Sequence, residues 1–203
     1  MPDRKIAAIV LAAGRSTRMG AGAKQLATVG GKALVRIAAE TALASRANAV
    51  SVVIGHQGER VRSALAGLPI EIVENPNYAE GLSTSLRAGL ASLPADTEGA
   101  VVLLADMPEI TPAMIDRLFE AFDPVAGNLI VVPTLAGKRG NPVLWSARFF
   151  RDLMAVSGDA GGRQLLEANA SAVVEVELGP AAGRDVDTPA DLAAIGGRPG
   201  DDL

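Results

Sequence analysis

The chain has 203 residues, 49% of them hydrophobic, which is enough apolar material for the core of one domain with at most a small elaboration. Its 19 Lys and Arg residues against 23 Asp and Glu residues give a net charge of -4, which argues against a nucleic-acid-binding surface spread over the whole molecule. The lack of cysteine excludes thiolate catalysis, cysteine-based zinc sites and a disulfide framework.

The first apolar run, at residues 6–11, allows two interpretations. Arg4 and Lys5 precede it, and a basic start followed by an apolar run and small residues is also the pattern of a short signal peptide. A buried strand explains more, because the run continues without a break into a basic, glycine-containing loop. No apolar stretch approaches the ~20 residues that span a bilayer. We therefore expect a cytoplasmic protein without a membrane segment.

Five short apolar runs bounded by turn residues predict strands that are covered on both faces. They lie at residues 6–11, 50–54, 70–73, 101–104 and 129–132. Stretches with helical periodicity alternate with them, at residues 34–41, 58–67, 83–93 and 111–122. This alternation predicts an α/β fold with three layers, in which helices cover both faces of a mostly parallel sheet.

The pattern changes in the last third of the chain. A polar stretch, two helices and a strand predict a small β elaboration, at residues 137–145, 146–155, 162–169 and 172–178. A final helix is expected after Thr188, because Pro189 follows it and Asp191 stands three residues later. We expect a single domain over residues 1–195 and a flexible tail over 196–203.

The loop after the first strand, LAAGRSTRMGAGAK at residues 11–24, is rich in glycine and basic residues. It is not a P-loop, because neither Lys24 nor Lys32 is followed by Ser or Thr, and it lacks the G-x-G-x-x-G spacing of dinucleotide-binding loops. Its backbone N–H groups, with the cations Arg15, Arg18 and Lys24, can surround a triphosphate. A solvated turn that carries arginines is the alternative interpretation.

Two aspartates are predicted at the carboxyl-terminal edge of the sheet, where open parallel sheets bind their ligands. Asp106 follows the fourth predicted strand in LLADMP, and Asp187 precedes the final helix in DVDTP. Mg²⁺ prefers one or two carboxylates together with water and phosphate oxygens. Each aspartate alone also fits a structural role, in a turn or beside a helix cap, but the pair favours magnesium-dependent phosphoryl or nucleotidyl transfer.

A set of motifs resembles the MobA-like nucleotidyltransferases, and in particular their molybdenum cofactor cytidylyltransferase branch. The motifs are LAAGRSTRMG with Lys24, NPNYAEGLSTSL, LLADMP, GNPVLW, GDAGGR and DVDTPADL, in this order over nearly the whole chain. Each motif alone is weak, but the set is highly specific. The resemblance implies a Rossmann-like α/β/α nucleotidyltransferase fold. It also implies Mg²⁺-dependent transfer of CMP from CTP to the terminal phosphate of molybdopterin, with release of pyrophosphate.

The resemblance also implies which residues contact each substrate. The residues implied to contact the base and ribose are Leu11, Ala12, Ala13, Gly81 and Ser85. Those for the triphosphate are Gly14, Arg15, Arg18 and Lys24. Those for Mg²⁺ are Asp106 and Asp187, and catalysis would rest on these two with Lys24 and Arg18. The weaker candidates for the acceptor side are Asn141 and Asp159.

A few positions carry separate expectations. Leu82 stands where the family commonly has methionine, and Gly162 where it commonly has alanine. His56, the single histidine, is expected in a turn, and Trp145 is expected to pack in the core rather than stack on a pterin. Tyr78 is a lone aromatic residue without an assigned role.

Several functions fit these residues. The acceptor phosphate is already anionic, so transfer needs no protein nucleophile. The alternatives are a transferase of the same fold that uses GTP, or a sugar-phosphate or alcohol-phosphate acceptor, and a non-catalytic protein that delivers a nucleotide or cofactor to an apo-molybdenum hydroxylase. Lys24 with both aspartates favours the enzyme. In the family, L-A-A-G in the first loop, as at residues 11–14, accompanies CTP use, whereas L-A-G-G accompanies GTP use.

Overall fold

A mixed β-sheet with helices on both faces makes up the computed structural model, which describes residues 4–15, 23–158 and 162–200. Within these residues the strands are β1 (Ile6–Ala12), β2 (Thr28–Val29), β3 (Lys32–Ala33), β4 (Ala49–Ile54), β5 (Glu71–Glu74), β6 (Gly99–Leu104), β7 (Ile130–Leu135), β8 (Lys138–Arg139), β9 (Val143–Ser146) and β10 (Val173–Glu177). The helices are α1 (Leu34–Leu43), α2 (Gly58–Ala64), α3 (Leu82–Ala91), α4 (Pro112–Ala121), α5 (Phe150–Ala155), α6 (Arg163–Ala168) and α7 (Pro189–Ala194). None of these helices is both long and apolar enough to cross a bilayer.

The main sheet has the strand order β5-β4-β1-β6-β9-β7-β10, and β8 pairs with β7 beside this path. β1 is parallel to both of its neighbours, β4 and β6. β9 is antiparallel to β6 and to β7, so it separates two parallel groups of strands. The five predicted strands and the mostly parallel sheet are confirmed. Within the β elaboration expected after residue 133, β8 and β9 are antiparallel to β7, whereas β10 is parallel to it.

Helices cover both faces of β1. Its side chains alternate between these two faces, so each face packs in a different core. Ala8 and Val10 pack in a core to which α1, α2 and α4 contribute. Ile9 and Leu11 point into a second core, on the side of α3 and α5. α3 approaches closely, since a Cβ on Gly89 would lie 2.5 Å from Ile9 Cγ2. Burial on both faces explains why β1 is a continuous apolar run, as central parallel strands are.

The carboxyl ends of β1 and β6 lie side by side at one edge of the sheet. Leu11 is in register with Leu104, and the Ala105 N–H donates to the Leu11 carbonyl at 3.1 Å. The loop that follows β1 and the turn that carries Asp106 therefore leave the sheet next to each other. This edge is where ligands bind in open parallel sheets.

The residues after α7, up to Gly200, pack against the region after the first loop. Arg198 forms an isolated antiparallel bridge with Thr28, and Gly200 is buried. The expectation of a flexible tail over 196–203 does not anticipate these contacts, because a Gly-rich terminal sequence gives no local signal for pairing with a distant strand. Residues 201–203 lie outside the described part of the chain.

Candidate active site

Lys24, Asp106 and Asp187 meet at the carboxyl-terminal edge of the sheet. Lys24 Nζ lies 2.6 Å from Asp106 Oδ2 and 2.5 Å from Asp187 Oδ1. The side chains of Lys24 and Asp106 are only 13% and 19% exposed, so these charges interact in a partly dehydrated environment. Residues far apart in sequence are thus brought together as expected, and their catalytic roles stay predictions. Arg18, the fourth predicted catalytic residue, lies outside the described residues.

Backbone contacts fix both aspartates. The Asp106 carbonyl accepts a 2.9 Å hydrogen bond from the Val186 N–H, which joins the turn after β6 to the segment before α7. α7 begins after Thr188 as predicted, and Thr188 and Asp191 form a capping box at its start. The Asp191 carboxylate also accepts from the N–H groups of Asp187 and Thr188, at 3.2 and 2.8 Å. Asp191 is therefore a structural residue, whereas the Asp187 side chain is directed to Lys24.

The charge of Lys24 is stabilised by its neighbours. Burial alone would lower the pKa of Lys24, but the attraction and hydrogen bonds of Asp106 and Asp187 outweigh it, so the pKa lies above its ordinary value. The side chain is therefore an ammonium ion at neutral pH. An ammonium has three N–H donors, and these two carboxylates leave one for a further oxygen.

A third carboxylate, Asp185, lies beside the two predicted metal ligands. Oxygen atoms of Asp106, Asp185 and Asp187 lie within 4.8 Å of one another. Asp106 Oδ1 is buried and accepts no hydrogen bond from any described residue. Carboxylates are preferred ligands of Mg²⁺ and Mn²⁺, so this donor set fits a hard divalent cation. The motifs do not single out Asp185, although the D-V-D alternation, with Val186 buried, is the signal that puts both aspartates on one side.

A cavity of about 550 Å³ extends from Lys24 and Asp106 along the ends of β1 and β6. It is lined by every described residue that was predicted to contact the nucleotide, namely Leu11, Ala12, Ala13, Gly14, Arg15, Gly81 and Ser85. Its volume is typical of a pocket for a small-molecule ligand. The first loop, the start of α3 and the aspartate turn therefore converge on one space.

Tyr78 and Gln25 line the same cavity, although the sequence analysis assigned a role to neither of them. The Arg15 guanidinium lies over the Tyr78 ring, 5.6 Å from its centre, and the His56 ring lies 6.0 Å away on a tilted plane. Gln25 Nε2 donates to the carbonyls of Gly14 and His56 at 3.4 Å. Gln25 therefore joins the first loop to the turn after β4, in which His56 was expected.

A second cavity of about 670 Å³ adjoins the first. The two share three leucines, Leu11, Leu82 and Leu104. Asn141 lines the second cavity, on the side predicted for the acceptor, whereas Asp159 lies outside the described residues. Two adjoining cavities at one sheet edge can hold a donor and an acceptor next to each other.

Trp145 forms part of the wall of the second cavity and is only 3% exposed, which agrees with the expectation that it packs in the core. Gly162 lies against its ring, and a Cβ there would lie 2.4 Å from Trp145 Cζ2. A contact this short explains why glycine stands where the family commonly has alanine: in this chain the indole occupies the space of the methyl group.

The sequence is similar to curated proteins with different names. It is 37% identical over 174 residues to the bifunctional protein GlmU of Kineococcus radiotolerans, covering 81% of this chain but only 34% of that protein. It is 31% identical over 191 residues to nicotine blue oxidoreductase of Paenarthrobacter nicotinovorans, covering 90% of this chain and 92% of that protein. It is 34% identical over 115 residues to a probable molybdenum cofactor guanylyltransferase of Natronomonas pharaonis, covering 57% and 56%.

The fold matches solved structures over most of the chain. Rv0371c of Mycobacterium tuberculosis H37Rv superposes with a TM-score of 0.83 at 27% identity, covering 95% of this chain and 98% of that one. A manganese complex of the same protein gives a TM-score of 0.77 at 26% identity, covering 95% and 97%. Residues 8–173 match the MobA-like NTP transferase domain. With its α/β nucleotidyltransferase-like fold, the chain belongs to the MobA-like NTP transferase family.

Proposed function

We propose that this chain is a Mg²⁺-dependent nucleotidyltransferase that transfers CMP from CTP to the terminal phosphate of molybdopterin. The observation that carries the proposal is the ion-paired group of Lys24, Asp106 and Asp187 beside a cavity lined by the predicted nucleotide contacts. Membership of the MobA-like family supports the reaction class. A relative named as a probable molybdenum cofactor guanylyltransferase supports the acceptor.

The reaction needs alignment and charge neutralisation. An oxygen of the acceptor phosphate forms a bond to the α-phosphorus of CTP, and the bond from that phosphorus to the oxygen bridging to the β-phosphate breaks, so pyrophosphate leaves with the electron pair. The attacking oxygen is already anionic, so no side chain has to remove a proton. Lys24 donates its remaining N–H to the triphosphate as negative charge moves to the leaving group. Mg²⁺, held by Asp106 and Asp187, would supply further neutralisation of the phosphate oxygens.

The second cavity suits a phosphorylated acceptor. Its lining includes three basic residues, Lys138, Arg139 and Arg163. Arg139 pairs with Glu175 and Arg163 with Glu167, whereas Lys138 is an exposed residue of β8. The acidic Glu167 and the polar Asn141 also line the cavity, and apolar side chains such as Leu86, Val143 and Trp145 form another part of its wall, where a flat heterocyclic body of the acceptor can lie. This combination supports an acceptor that has both an apolar body and an anionic group.

Other functions remain as alternatives. A GTP donor, or a sugar-phosphate or alcohol-phosphate acceptor, uses the same carboxylates and lysine, and a delivery protein for an apo-molybdenum hydroxylase uses the same cavities without turnover. A redox reaction is the second candidate, because the relative matched over 92% of its length is named an oxidoreductase. The first loop does not favour it, since the G-x-G-x-x-G spacing is absent.

Pyrophosphate release separates these functions. The purified protein is incubated with Mg²⁺, molybdopterin and each NTP in turn, and we expect pyrophosphate with CTP only when the acceptor and the metal are both present. Pyrophosphate with a sugar phosphate in place of molybdopterin would change the acceptor but not the reaction class. No pyrophosphate from any NTP, together with oxidation of NADH or NADPH by an added dye, would favour the redox candidate.

Ala13 is expected to contribute to the choice of base. It lines the nucleotide cavity and is only 2% exposed, because it packs in the core cluster that contains Leu11 and Leu86. Removal of its methyl group should therefore leave more space at this wall of the cavity. One methyl group in a binding pocket changes the difference in transition-state binding free energy between two substrates by about 1 kcal/mol, at the low end of the usual range. Ala13→Gly should shift the ratio of kcat/KM for CTP over GTP about fivefold toward GTP without reversing it. Competition between the two nucleotides, with the dinucleotide products separated and counted, measures this ratio, and an unchanged ratio would contradict the steric explanation.

Asp185 is expected to support metal binding without being essential. The Asp185 side chain is exposed, so water screens its charge. Removal of this charge should therefore weaken metal binding less than removal of the Asp106 charge. Asp185→Asn should raise the Mg²⁺ concentration for half-maximal turnover about fivefold while kcat at saturating Mg²⁺ changes little. Asp152→Asn, at an exposed aspartate in the first turn of α5, is the control. If both variants show the same Mg²⁺ dependence, Asp185 does not take part in metal binding.

A further inference from the structure

Residues 196–200 fold back from the end of α7 toward the segment after Lys24, and we call them the C-terminal strap. Gly196 has a φ of 72°, which reverses the chain direction at no steric cost. The N–H groups of Gly196 and Gly197 donate to the carbonyls of Ala193 and Leu192, at 3.0 and 2.8 Å, and close α7 in a Schellman motif. The Gly-Gly pair therefore directs the strap away from the helix along a defined path.

Backbone contacts fix the strap to the segment after Lys24. Arg198 and Thr28 exchange two N–H···O hydrogen bonds of 2.8 Å each. Gly200 lies so close to Leu26 that a Cβ would be 2.2 Å from the Leu26 carbonyl oxygen. Arg60 of α2 donates a 2.8 Å hydrogen bond to the Gly200 carbonyl and thereby holds the far end of the strap.

A small hydrophobic cluster joins the same segment to Asp187. The cluster consists of Ala27, Leu34, Val186 and Leu192. Ala27 directly follows the short 3-10 helix Lys24–Leu26, and Val186 directly precedes Asp187. The cluster therefore packs the segment that follows Lys24 against the segment that precedes Asp187. The strap contacts Leu192 of this cluster at its start and Leu26, next to the cluster, at its end.

We infer that the C-terminal strap is a positioning element, which fixes Lys24 against Asp106 and Asp187. The distances of 2.5 and 2.6 Å from Lys24 Nζ to the two carboxylates leave little room for displacement of Lys24, because hydrogen bonds weaken beyond ~3.2 Å. A misplacement of about 1 Å can cost about 100-fold in rate. Arg60 and Gly200 do not line the nucleotide cavity, so they act through Lys24. The effect on turnover rests on the proposed function, whereas the mechanical coupling does not.

Two substitutions in the full chain weaken the strap from different sides. Arg60→Ala removes the hydrogen bond to Gly200, and Gly200→Ala places a methyl group against the Leu26 carbonyl. Arg62→Ala is the matched control for the first, because Arg62 lies on the same helix but pairs with Glu74. Gly58→Ala is the control for the second, because its Cβ would make an ordinary 3.6 Å contact with Ile54.

We expect both strap variants to lower kcat about tenfold, while KM for the acceptor stays unchanged and the thermal midpoint stays within about 3 °C of wild type. The two controls should match wild type in all three quantities. Wild-type kcat in both strap variants, although the strap has been released, would overturn the positioning role. A wild-type protein without any transfer activity would instead overturn the proposed function.

Amide hydrogen exchange tests the coupling without turnover. The Thr28 N–H donates to the Arg198 carbonyl, and the Ala27 N–H donates to the Lys24 carbonyl. Both amides should exchange faster in Arg60→Ala and Gly200→Ala than in the controls. Faster exchange at Thr28 alone, with Ala27 unchanged, would show that the strap binds this segment without controlling Lys24 and would overturn the inference. Unchanged exchange at both amides would overturn it as well.

Discussion

Asp106→Asn is expected to lower the transfer rate at least about a thousandfold, since a metal-holding carboxylate supplies several kcal/mol of charge stabilisation and each 1.4 kcal/mol is a factor of ten. Asparagine keeps the shape of the side chain and removes its charge. One carboxylate oxygen of Asp106 pairs with Lys24, and the other is buried and accepts no hydrogen bond from a described residue. The second oxygen is therefore available to a cation.

Asp187→Asn should have a smaller effect than Asp106→Asn, because the Asp187 side chain is 36% exposed against 19% for Asp106. Single-turnover rates at saturating CTP and Mg²⁺ measure both effects. Asp152→Asn is the control for a charge lost far from this edge of the sheet, and circular dichroism checks that each variant is folded. Near-wild-type transfer by Asp106→Asn would remove Asp106 from the metal site and contradict the proposed mechanism.

Lys24→Ala is expected to lower kcat about 100-fold, the usual cost of removing one donor that stabilises developing charge. Burial lowers the pKa of Lys24, but Asp106 and Asp187 raise it above its ordinary value, so the ammonium persists at neutral pH and its deprotonation causes no loss of activity in the neutral range. Lys32→Ala, which removes an exposed lysine paired with Glu40, is the control. Stopped-flow measurement of pyrophosphate release gives kcat, and unchanged kinetics would mean that Lys24 has only a structural role.

Much of the layout is predictable because it has local causes. β1 can be recognised in the sequence as a continuous apolar run because both of its faces are buried. The start of α7 can be recognised because Thr188 and Asp191 are three residues apart. Asp106 could be assigned to this edge because it follows the carboxyl end of β6, which is parallel to β1, and Asp187 because it precedes a capped helix.

The features that were not predictable depend on contacts between distant segments. The antiparallel insertion of β9 between β6 and β7 has no local signal, since a strand of only four residues, three of them apolar, fits either direction. The strap pairs Arg198 with Thr28, and its glycines, taken alone, are typical of a loose terminus. Tyr78 enters the site through its packing against Gly55, where a Cβ would lie 2.8 Å from the ring. Such pairings are decided by the assembled core.

The most direct test of the proposed reaction is ³¹P nuclear magnetic resonance of the wild-type protein mixed with CTP, Mg²⁺ and molybdopterin. The proposal predicts that the three CTP signals disappear together, that free pyrophosphate appears, and that a new asymmetric diphosphate signal pair appears in equal amount, from the CMP group joined to the acceptor phosphate. Release of inorganic phosphate instead of pyrophosphate, or unchanged CTP signals in the presence of both metal and acceptor, would contradict it.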